Sequence, residues 1–336
     1  MGGSAHGRRP ARRRVHRRRD RRTPRRRHGA MTDGPWRFVH EPLLGTVVVV
    51  DVHGPDDSVA AAADRAVVEE IRRLQAVFDI FNAASELSRW KRGEVARPSD
   101  ELRAVLGAAR DHQVASGGRF NPSVGVLVSL WRTAEHTGIE PDDALLRATA
   151  AGIADPPYRV VDGDVVVDGA ISGIDLNAFA KGWIVDRAVE AALATVGDLA
   201  GVVVNAGGDL RHHGGAPLVV GVENPLRPYD NEPPIDAVRV QDGGLATSGR
   251  ARRGHQVGER WRAHVIDPRT GRPVDDVASI TVVAADTATA DVTATILGVI
   301  PPLEAVREAD AAGIACLVVG ADGSVRSSRA WQELRC

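Results

Sequence analysis

Five short segments combine acidic, basic or hydroxyl side chains with glycine or alanine, and their composition suggests metal-assisted chemistry on a pyrophosphate. In segment 290–295, Asp291 and Thr295 are four residues apart, so both face one side of a helix. Carboxylate and hydroxyl oxygens are hard ligands, which suit Mg²⁺ better than zinc. Lys181 lies near a predicted helix start, where exposed backbone N–H groups favour phosphate. The other four segments each follow a strand-like run: 175–182, 205–209, 247–249 and 264–271.

Each segment taken alone also has a simpler explanation. The pair Gly207-Gly208 is typical of a turn, and residues 267–271 have the composition of a tight turn. Asp291 would complement a helix dipole without binding a metal, and Lys181 would be a solvated surface charge. A single histidine at a strand end, such as His264, is more often structural than catalytic. Residue types alone therefore leave both interpretations open.

Apolar periodicity predicts the elements that must position these segments. A strand over 43–52 precedes a long helix that Ser58 caps, with apolar residues at helical spacing from Val67 to Phe78. Strands do not alternate one-for-one with helices, so we expect an α+β fold and not a doubly wound one. Further helices are predicted from Ser99 to about 117, from Pro141, from about 177 to 196, and over 288–299 and 302–312. Further strands are predicted over 158–161, 165–167, 201–205, 217–222, 237–240, 261–266, 279–284, 314–319 and 324–328, with a loop over 225–234.

Composition excludes several classes of protein. The 336 residues are 43% hydrophobic, so the chain can bury a core and is not wholly disordered. No run approaches the roughly 18 consecutive apolar residues of a membrane-spanning helix. Two cysteines cannot form a disulfide framework; Cys316 is expected in the core and Cys336 at the surface. Only two lysines, Lys91 and Lys181, occur beside 41 arginines, so we expect a retained lysine to serve as a compact point charge.

The net charge of −1 conceals two parts of opposite sign. Residues 1–30 contain thirteen arginines and one acid, Asp20, which leaves about −13 on the rest. We expect 1–30 to be a disordered, dispensable tail or an incorrectly assigned start before Met31, and 31–336 to be a single domain. The tail would suit nucleic acid, but the acidic body argues against that partner. Because the tail lacks an apolar signal region and a lipid-accepting cysteine, the expected location is the cytoplasm, with no transmembrane segment.

In this order, the five segments resemble the ApbE family, the FAD:protein FMN transferases. That family has the patterns Asp-Leu-(Gly-Gly)-x-Ala-Lys-Gly, Asn-x-Gly-Gly-Asp, Ser-Gly, His-x-x-Asp-Pro-x-Thr-Gly-x-Pro and Ala-Asp-x-x-x-Thr. Upstream segments 44–46, 85–89 and 120–125 also match, so the resemblance extends from about residue 43 to 320. Eight ordered matches are more specific than any single motif. They imply an ApbE-like α+β fold of mixed, mostly antiparallel sheets flanked by helices.

The resemblance also implies an activity and a set of site residues. Family members split FAD at its pyrophosphate and attach FMN to a Thr or Ser hydroxyl of an acceptor flavoprotein, releasing AMP, with Mg²⁺ as the usual metal. Implied metal ligands are Asp291, Thr295 and the Ala178 carbonyl, with Ala294 near the ion. His264 and Asp267 are candidate bases for the acceptor hydroxyl, and Lys181 would neutralise the pyrophosphate. Implied FAD contacts are Leu44, Phe81, Phe120, Asn121, Ser123, Asp175, Lys181, His264 and Ile266.

Three positions depart from the family pattern, and two other functions compete with transfer. Asn121 stands where the family often has Asp, Asn177 where Gly is usual, and Trp90 where an aliphatic residue is usual. One alternative is an FAD pyrophosphatase that releases FMN and AMP with water as the acceptor. The other is a carrier that binds FAD without turnover. A carrier needs no metal ligands, so the pair Asp291 and Thr295 argues for an enzyme.

Overall fold

An eight-stranded antiparallel sheet is the centre of the fold in a computed structural model that describes residues 35–197, 199–229, 231–249 and 254–336. The predicted tail, residues 1–30, lies outside the described residues. The strands, numbered along the chain, are β1 (Trp36–Leu43), β2 (Thr46–His53), β3 (Tyr158–Val161), β4 (Asp164–Val167), β5 (Gly201–Ala206), β6 (Asp209–Gly214), β7 (Leu218–Val222), β8 (Asp236–Val240), β9 (Gly244–Gly249), β10 (Gly254–Val257), β11 (Arg260–Ala263), β12 (Ile266–Asp267), β13 (Arg272–Pro273), β14 (Val277–Ala284), β15 (Ala315–Gly320) and β16 (Val325–Ser327).

The strands of the main sheet lie side by side in the order of the sequence. That order is β1-β2-β5-β6-β9-β14-β15-β16, and each neighbouring pair is antiparallel. The remaining strands form two-stranded sheets in the connections: β3 with β4, β7 with β8, β10 with β11, and β12 with β13. The expected α+β class with mostly antiparallel sheets is therefore confirmed.

Helices flank this sheet, and most begin at a side-chain cap. Asp56 accepts hydrogen bonds from the backbone N–H groups of Ser58 and Val59, and Ser99 accepts one from Leu102. No helix in the described part of the chain is both long and apolar enough to cross a membrane. The described helices are α1 (Asp57–Phe78), α2 (Glu86–Lys91), α3 (Asp100–Ala115), α4 (Gly125–Thr137), α5 (Asp143–Gly152), α6 (Asn177–Val196), α7 (Thr287–Gly298), α8 (Pro302–Ala312) and α9 (Arg329–Leu334).

Helix α7 lies between two hydrophobic cores. The larger core packs the buried face of β2 against α1, α3 and α6, and it includes Ala288 and Val292 of α7. The second core packs β14, β15 and α8 against Ala290, Ala294 and Leu297. Because opposite faces of α7 are buried in different cores, the position of this helix is fixed from both sides.

Helices α6 and α7 approach so closely that only glycine fits at their crossing. A Cβ atom built on Gly182 would lie 2.5 Å from the carbonyl oxygen of Thr287 and 2.8 Å from the Cα atom of Ala288. Both neighbours are backbone atoms, which cannot move aside as a flexible side chain can. The crossing therefore sets the distance between the residues carried by the two helices.

We expect Gly182→Ala to destabilise the protein. Pushing the two backbones apart should cost roughly 1–3 kcal/mol, even though alanine is the better helix former. Urea denaturation of both variants should show a lower midpoint for Gly182→Ala than for the control Gly152→Ala, where a Cβ meets nothing within 4 Å. Equal midpoints for the two variants would contradict the close contact.

The two cysteines should differ in reactivity. Cys316 is fully buried, and burial raises the pKa of its thiol to about 11, whereas Cys336 is exposed. Because the thiolate is the reactive form, we expect one thiol per chain to react with a thiol reagent near pH 8 in the native protein, and two after unfolding. Equal native reaction rates at the two positions would contradict this expectation.

Several predicted boundaries differ from the structure for local reasons. The strand predicted over 43–52 is interrupted by a turn at Leu44-Gly45, so its first residue belongs to β1. The first helix is capped by Asp56 and not by Ser58, whose hydroxyl also donates to that carboxylate. Helix α4 was not predicted, because its N-cap, Val124, makes no side-chain cap hydrogen bond.

Candidate functional site

Three charged side chains from separate parts of the chain meet beside the crossing of α6 and α7. The Lys181 Nζ atom lies 2.7 Å from Oδ2 of Asp209, the first residue of β6. Oδ2 of Asp291, on α7, accepts a long hydrogen bond of 3.4 Å from the backbone N–H of Gly182. Asp209 is 1% exposed and Asp291 is 7% exposed. The protein therefore buries two carboxylates around one lysine.

The carboxyl group of Asp291 lies where negative charge is unfavourable. Burial raises the pKa of Asp291 well above its usual value, and the nearby Asp209 raises it further. Lys181 and the Gly182 N–H act in the opposite direction but do not offset burial. A bound cation would stabilise the ionised form of this carboxyl group.

The start of α7 is held in place by a third buried acid, Asp186. Its two carboxylate oxygens accept hydrogen bonds from the backbone N–H groups of Thr287 and Ala288, each at 2.9 Å. The Thr287 hydroxyl also donates to the Leu210 carbonyl, at 3.1 Å. Burial raises the pKa of Asp186, while the two backbone N–H groups favour its ionised form. These bonds tie α7 to α6 and β6, and so position Asp291.

The predicted metal ligands offer carboxylate, hydroxyl and carbonyl oxygens, the donor types that suit a hard cation. In an α-helix each N–H points at the carbonyl four residues earlier, so the Gly182 N–H that approaches Asp291 also adjoins the Ala178 carbonyl. Thr295 is half-buried one helical turn beyond Asp291 on α7. Ala294 is fully buried and packs in the second core. The described residues contain no group of three or more His, Cys, Asp or Glu side chains arranged for a metal. A Mg²⁺ ion here would therefore depend on main-chain, hydroxyl and substrate oxygens as well.

The turn at Leu44 packs against the turn that carries Asp209. A Cβ atom built on Gly207 would lie 2.5 Å from the Thr46 hydroxyl oxygen, so the two turns are in direct contact. Leu44 has φ +53°, a left-handed conformation that a leucine adopts only when its surroundings impose it. The turn that carries the predicted FAD contact Leu44 therefore lies beside the glycine turn that precedes Asp209.

Phe81 is the predicted contact most open to a ligand. Its side chain is 76% exposed on the loop between α1 and α2. The Phe81 backbone N–H donates to the Asp79 carboxylate at 2.8 Å, which holds the loop in a turn. An exposed aromatic ring on a fixed loop offers a stacking surface for a flat ring system.

The predicted contacts from Phe120 to Ser123 form a tightly bonded loop. Phe120 is buried, with its ring centroid 6.2 Å from that of His112. The Asn121 side chain donates to the Ile153 carbonyl at 2.7 Å and accepts from the Ser123 N–H at 2.8 Å. Ser123 is also buried. The Pro122 carbonyl of this loop accepts a hydrogen bond of 2.7 Å from the Asp175 N–H. The loop therefore positions Asp175.

A cavity of about 440 Å³ lies between the end of α3, helix α5 with the segment that follows it, and the turn at Pro268-Arg269. Asn121 lines one wall and the turn Pro268-Arg269 lines another, with Gly117 and Gly118 at the end of α3. The volume falls in the range of small-molecule sites. Asn121 is the predicted FAD contact that lines this cavity, and segment 264–271 contributes Pro268 and Arg269 to it.

Segment 264–271 holds the two candidate bases in different surroundings. His264 is half-buried directly after β11, and Ile266 is buried in β12. Both carboxylate oxygens of Asp267 accept hydrogen bonds from the Arg269 guanidinium, at 3.0 and 2.9 Å, and Oδ1 also accepts from the Arg269 N–H. Asp267 therefore stabilises its own turn, which favours His264 as the proton acceptor.

Comparison with known proteins finds a matching family model, similar named proteins and similar solved structures. The family model described as the ApbE family matches residues 44–318. The chain belongs to the ApbE family. A Klebsiella pneumoniae (strain 342) protein named FAD:protein FMN transferase is 28% identical over 263 residues, which cover 76% of this chain and 79% of that protein. A Vibrio cholerae (strain O395) protein of the same name is 32% identical over 252 residues, which cover 71% and 73%. The crystal structure of the ApbE protein from Thermotoga maritima MSB8 matches with a TM-score of 0.78 and 25% identity, covering 90% of this chain and 99% of that chain.

The expected family is confirmed, and the ApbE fold brings together residues that sequence analysis treated separately. Lys181 and Asp291 share the neighbour Asp209, which the sequence analysis placed only at the end of a glycine turn. Asp186 was missed altogether. Its signal in the sequence is a lone acid on the apolar face of α6, four residues after Gly182, where an acid needs a polar partner.

Proposed function

We propose that this member of the ApbE family is a Mg²⁺-dependent FAD:protein FMN transferase. The observation that carries the proposal is the cluster of Lys181, Asp209 and Asp291 beside the α6–α7 crossing. The cluster combines a positive charge for phosphate with a buried carboxylate for a metal. The names of its relatives support the substrate, FAD, and a protein as the acceptor. We further propose that the acceptor group is a Thr or Ser hydroxyl.

The reaction would exchange the phosphoanhydride bond of the FAD pyrophosphate for a phosphoester bond to the acceptor. The oxygen of the acceptor hydroxyl forms a bond to the phosphorus of the FMN half. The bond between that phosphorus and the bridging oxygen breaks, and AMP leaves with the bridging oxygen and its electron pair. The hydroxyl proton passes to a base, for which His264 is the candidate. Such chemistry depends mainly on positioning and on charge stabilisation.

The residues of the chain have separate roles in this proposal. Lys181 neutralises charge on the pyrophosphate. Phe81 and the segment 120–123 orient the FAD rings. Asp186 fixes the start of α7 against α6 through its two hydrogen bonds to backbone N–H groups. Asp291, Thr295 and the Ala178 carbonyl would hold Mg²⁺, which supplies Lewis-acid stabilisation of the pyrophosphate oxygens when bound.

The test is incubation of the purified chain with FAD and Mg²⁺, with and without a candidate acceptor flavoprotein. Chromatography measures AMP and free FMN, and mass spectrometry of the intact acceptor measures attached FMN. We expect AMP to form in step with attached FMN. Equal AMP and free FMN, with no change in the acceptor, would favour a pyrophosphatase. FAD binding without AMP would favour a carrier.

A further inference from the structure

Lys91 is a half-buried cation to which the proposed chemistry assigns no role. It is the last residue of α2 and one of two lysines in a chain with 41 arginines. Its ammonium group donates to the Ile174 carbonyl, 83 residues away in sequence, at 2.7 Å. Burial lowers the pKa of Lys91, and Asp175 acts in the opposite direction. The ammonium group thus lies beside Asp175, a predicted FAD contact.

The main chain around Asp175 is fixed on its other side by backbone contacts. The Asp175 N–H donates to the Pro122 carbonyl at 2.7 Å. A Cβ atom built on Gly125 would lie 2.5 Å from the Gly173 carbonyl oxygen, so α4 packs directly on this segment. Lys91 holds the same segment from α2. Residues 173–175 are therefore clamped between α2 and the start of α4.

The carboxylate of Asp175 is influenced by a small number of groups. Burial raises the pKa of Asp175, while the Asn177 N–H, which donates to Oδ1 at 2.9 Å, and the charges of Lys91 and Arg132 favour the ionised form. Lys91 acts from α2 and Arg132 from α4. Burial acts against the charges of these two cations, so removing either cation would raise the pKa of Asp175 further.

We propose that Lys91 is a positioning residue for FAD, which holds the chain at Ile174 and keeps Asp175 ionised as a hydrogen-bond acceptor. A carboxylate can accept from the N–H and O–H groups of a flavin nucleotide with both oxygens only when it is ionised. A lysine suits this position because its ammonium group is a compact point charge on a flexible stem, which donates to the Ile174 carbonyl and brings positive charge close to Asp175. This inference rests on the proposed function, since it takes FAD as the ligand.

The experiment measures FAD affinity, without turnover, in EDTA between about pH 6 and 9, for wild type, Lys91→Met and Lys91→Arg. We expect Lys91→Met to bind FAD more weakly than wild type at the acidic end of this range, by up to about tenfold, the ratio that corresponds to one unit of pKa. The difference from wild type should shrink as the pH rises, because the Asp175 carboxyl group is then ionised in both proteins. Lys91→Arg retains the charge and should follow the wild-type profile more closely. Protonation of the histidines is common to all three proteins, so differences from wild type report on Lys91.

A second pair of variants separates charge from packing. With Asp175→Asn as background, adding Lys91→Met should no longer change how affinity depends on pH. Thermal melts of each variant check folding. A loss of affinity that is equal at every pH, or equal for Met and Arg, would overturn the proposal in favour of a purely structural lysine. If the wild-type protein binds FAD but releases no AMP, the proposed transferase activity is contradicted, whereas the proposed role of Lys91 in FAD binding is not affected. No FAD binding by wild type would overturn both.

Discussion

Replacing Asp291 with alanine is expected to abolish Mg²⁺-dependent release of AMP from FAD. Asp291 is the only carboxylate in the proposed metal set, and Mg²⁺ depends on carboxylate charge because it gives up its waters reluctantly. The loss should be on the order of 10³-fold, similar to the loss of other groups that stabilise transition-state charge. AMP release measured across a Mg²⁺ titration tests this expectation.

Stability measurements distinguish a lost metal ligand from a lost fold. Because the folded pKa of Asp291 is raised, its ionised form costs stability above the unfolded pKa. The isosteric Asp291→Asn should therefore melt no lower than wild type in EDTA at neutral pH, and Mg²⁺ should raise the melting temperature of wild type alone. Asp57→Ala, which removes an exposed acid from the first turn of α1, is the matched control and should keep wild-type activity. Unchanged AMP release by Asp291→Ala, or by wild type in EDTA, would contradict the assignment.

Replacing Lys181 with alanine is expected to weaken both FAD binding and folding. Loss of a charge-assisted phosphate contact should cost about 1.5–3 kcal/mol, which is roughly a 10- to 150-fold loss of affinity. The ion pair with Asp209 is largely buried, and removing one partner leaves the other charge unpaired, which should cost roughly 3 kcal/mol of stability. FAD titration and urea denaturation measure the two effects.

The double variant Lys181→Ala with Asp209→Asn separates these two effects. It removes both charges, so we expect most of the stability to return while FAD affinity stays low. Recovery of affinity together with stability would mean that Lys181 serves only as the counter-ion of Asp209. Wild-type affinity in the single variant would contradict any contact with phosphate.

The sequence predicted those parts of the site that depend on local spacing. The pair Asp291 and Thr295 could be placed on one helix face, because four residues make about one turn. Contacts between residues that are distant in the sequence could not be predicted in this way. The contacts of Lys181 with Asp209, and of Asp186 with the first N–H groups of α7, join segments that only the packed sheet and helices bring together.

The fold was predictable to a similar extent. Helices α1 and α3 have long apolar stripes and polar caps, and both were predicted. Helix α2 has only six residues, too few to show a period. Strand β6 follows a glycine turn and carries polar residues, Arg211, His212 and His213, so its sequence lacks the apolar alternation of a strand. Its place in the sheet comes from pairing with β5 and β9.

The order of strands in the main sheet also sets the order in which the molecule can assemble during synthesis. Each new strand emerging from the ribosome finds its neighbour already made, so the sheet can grow at one edge as translation proceeds. Lys181 and Asp209 can pair once β6 has formed, but α7 is made only after another 70 residues or more. A chain interrupted before Thr287 would contain the ion pair and lack Asp291. The proposed cleavage of FAD would therefore begin only when synthesis is nearly complete.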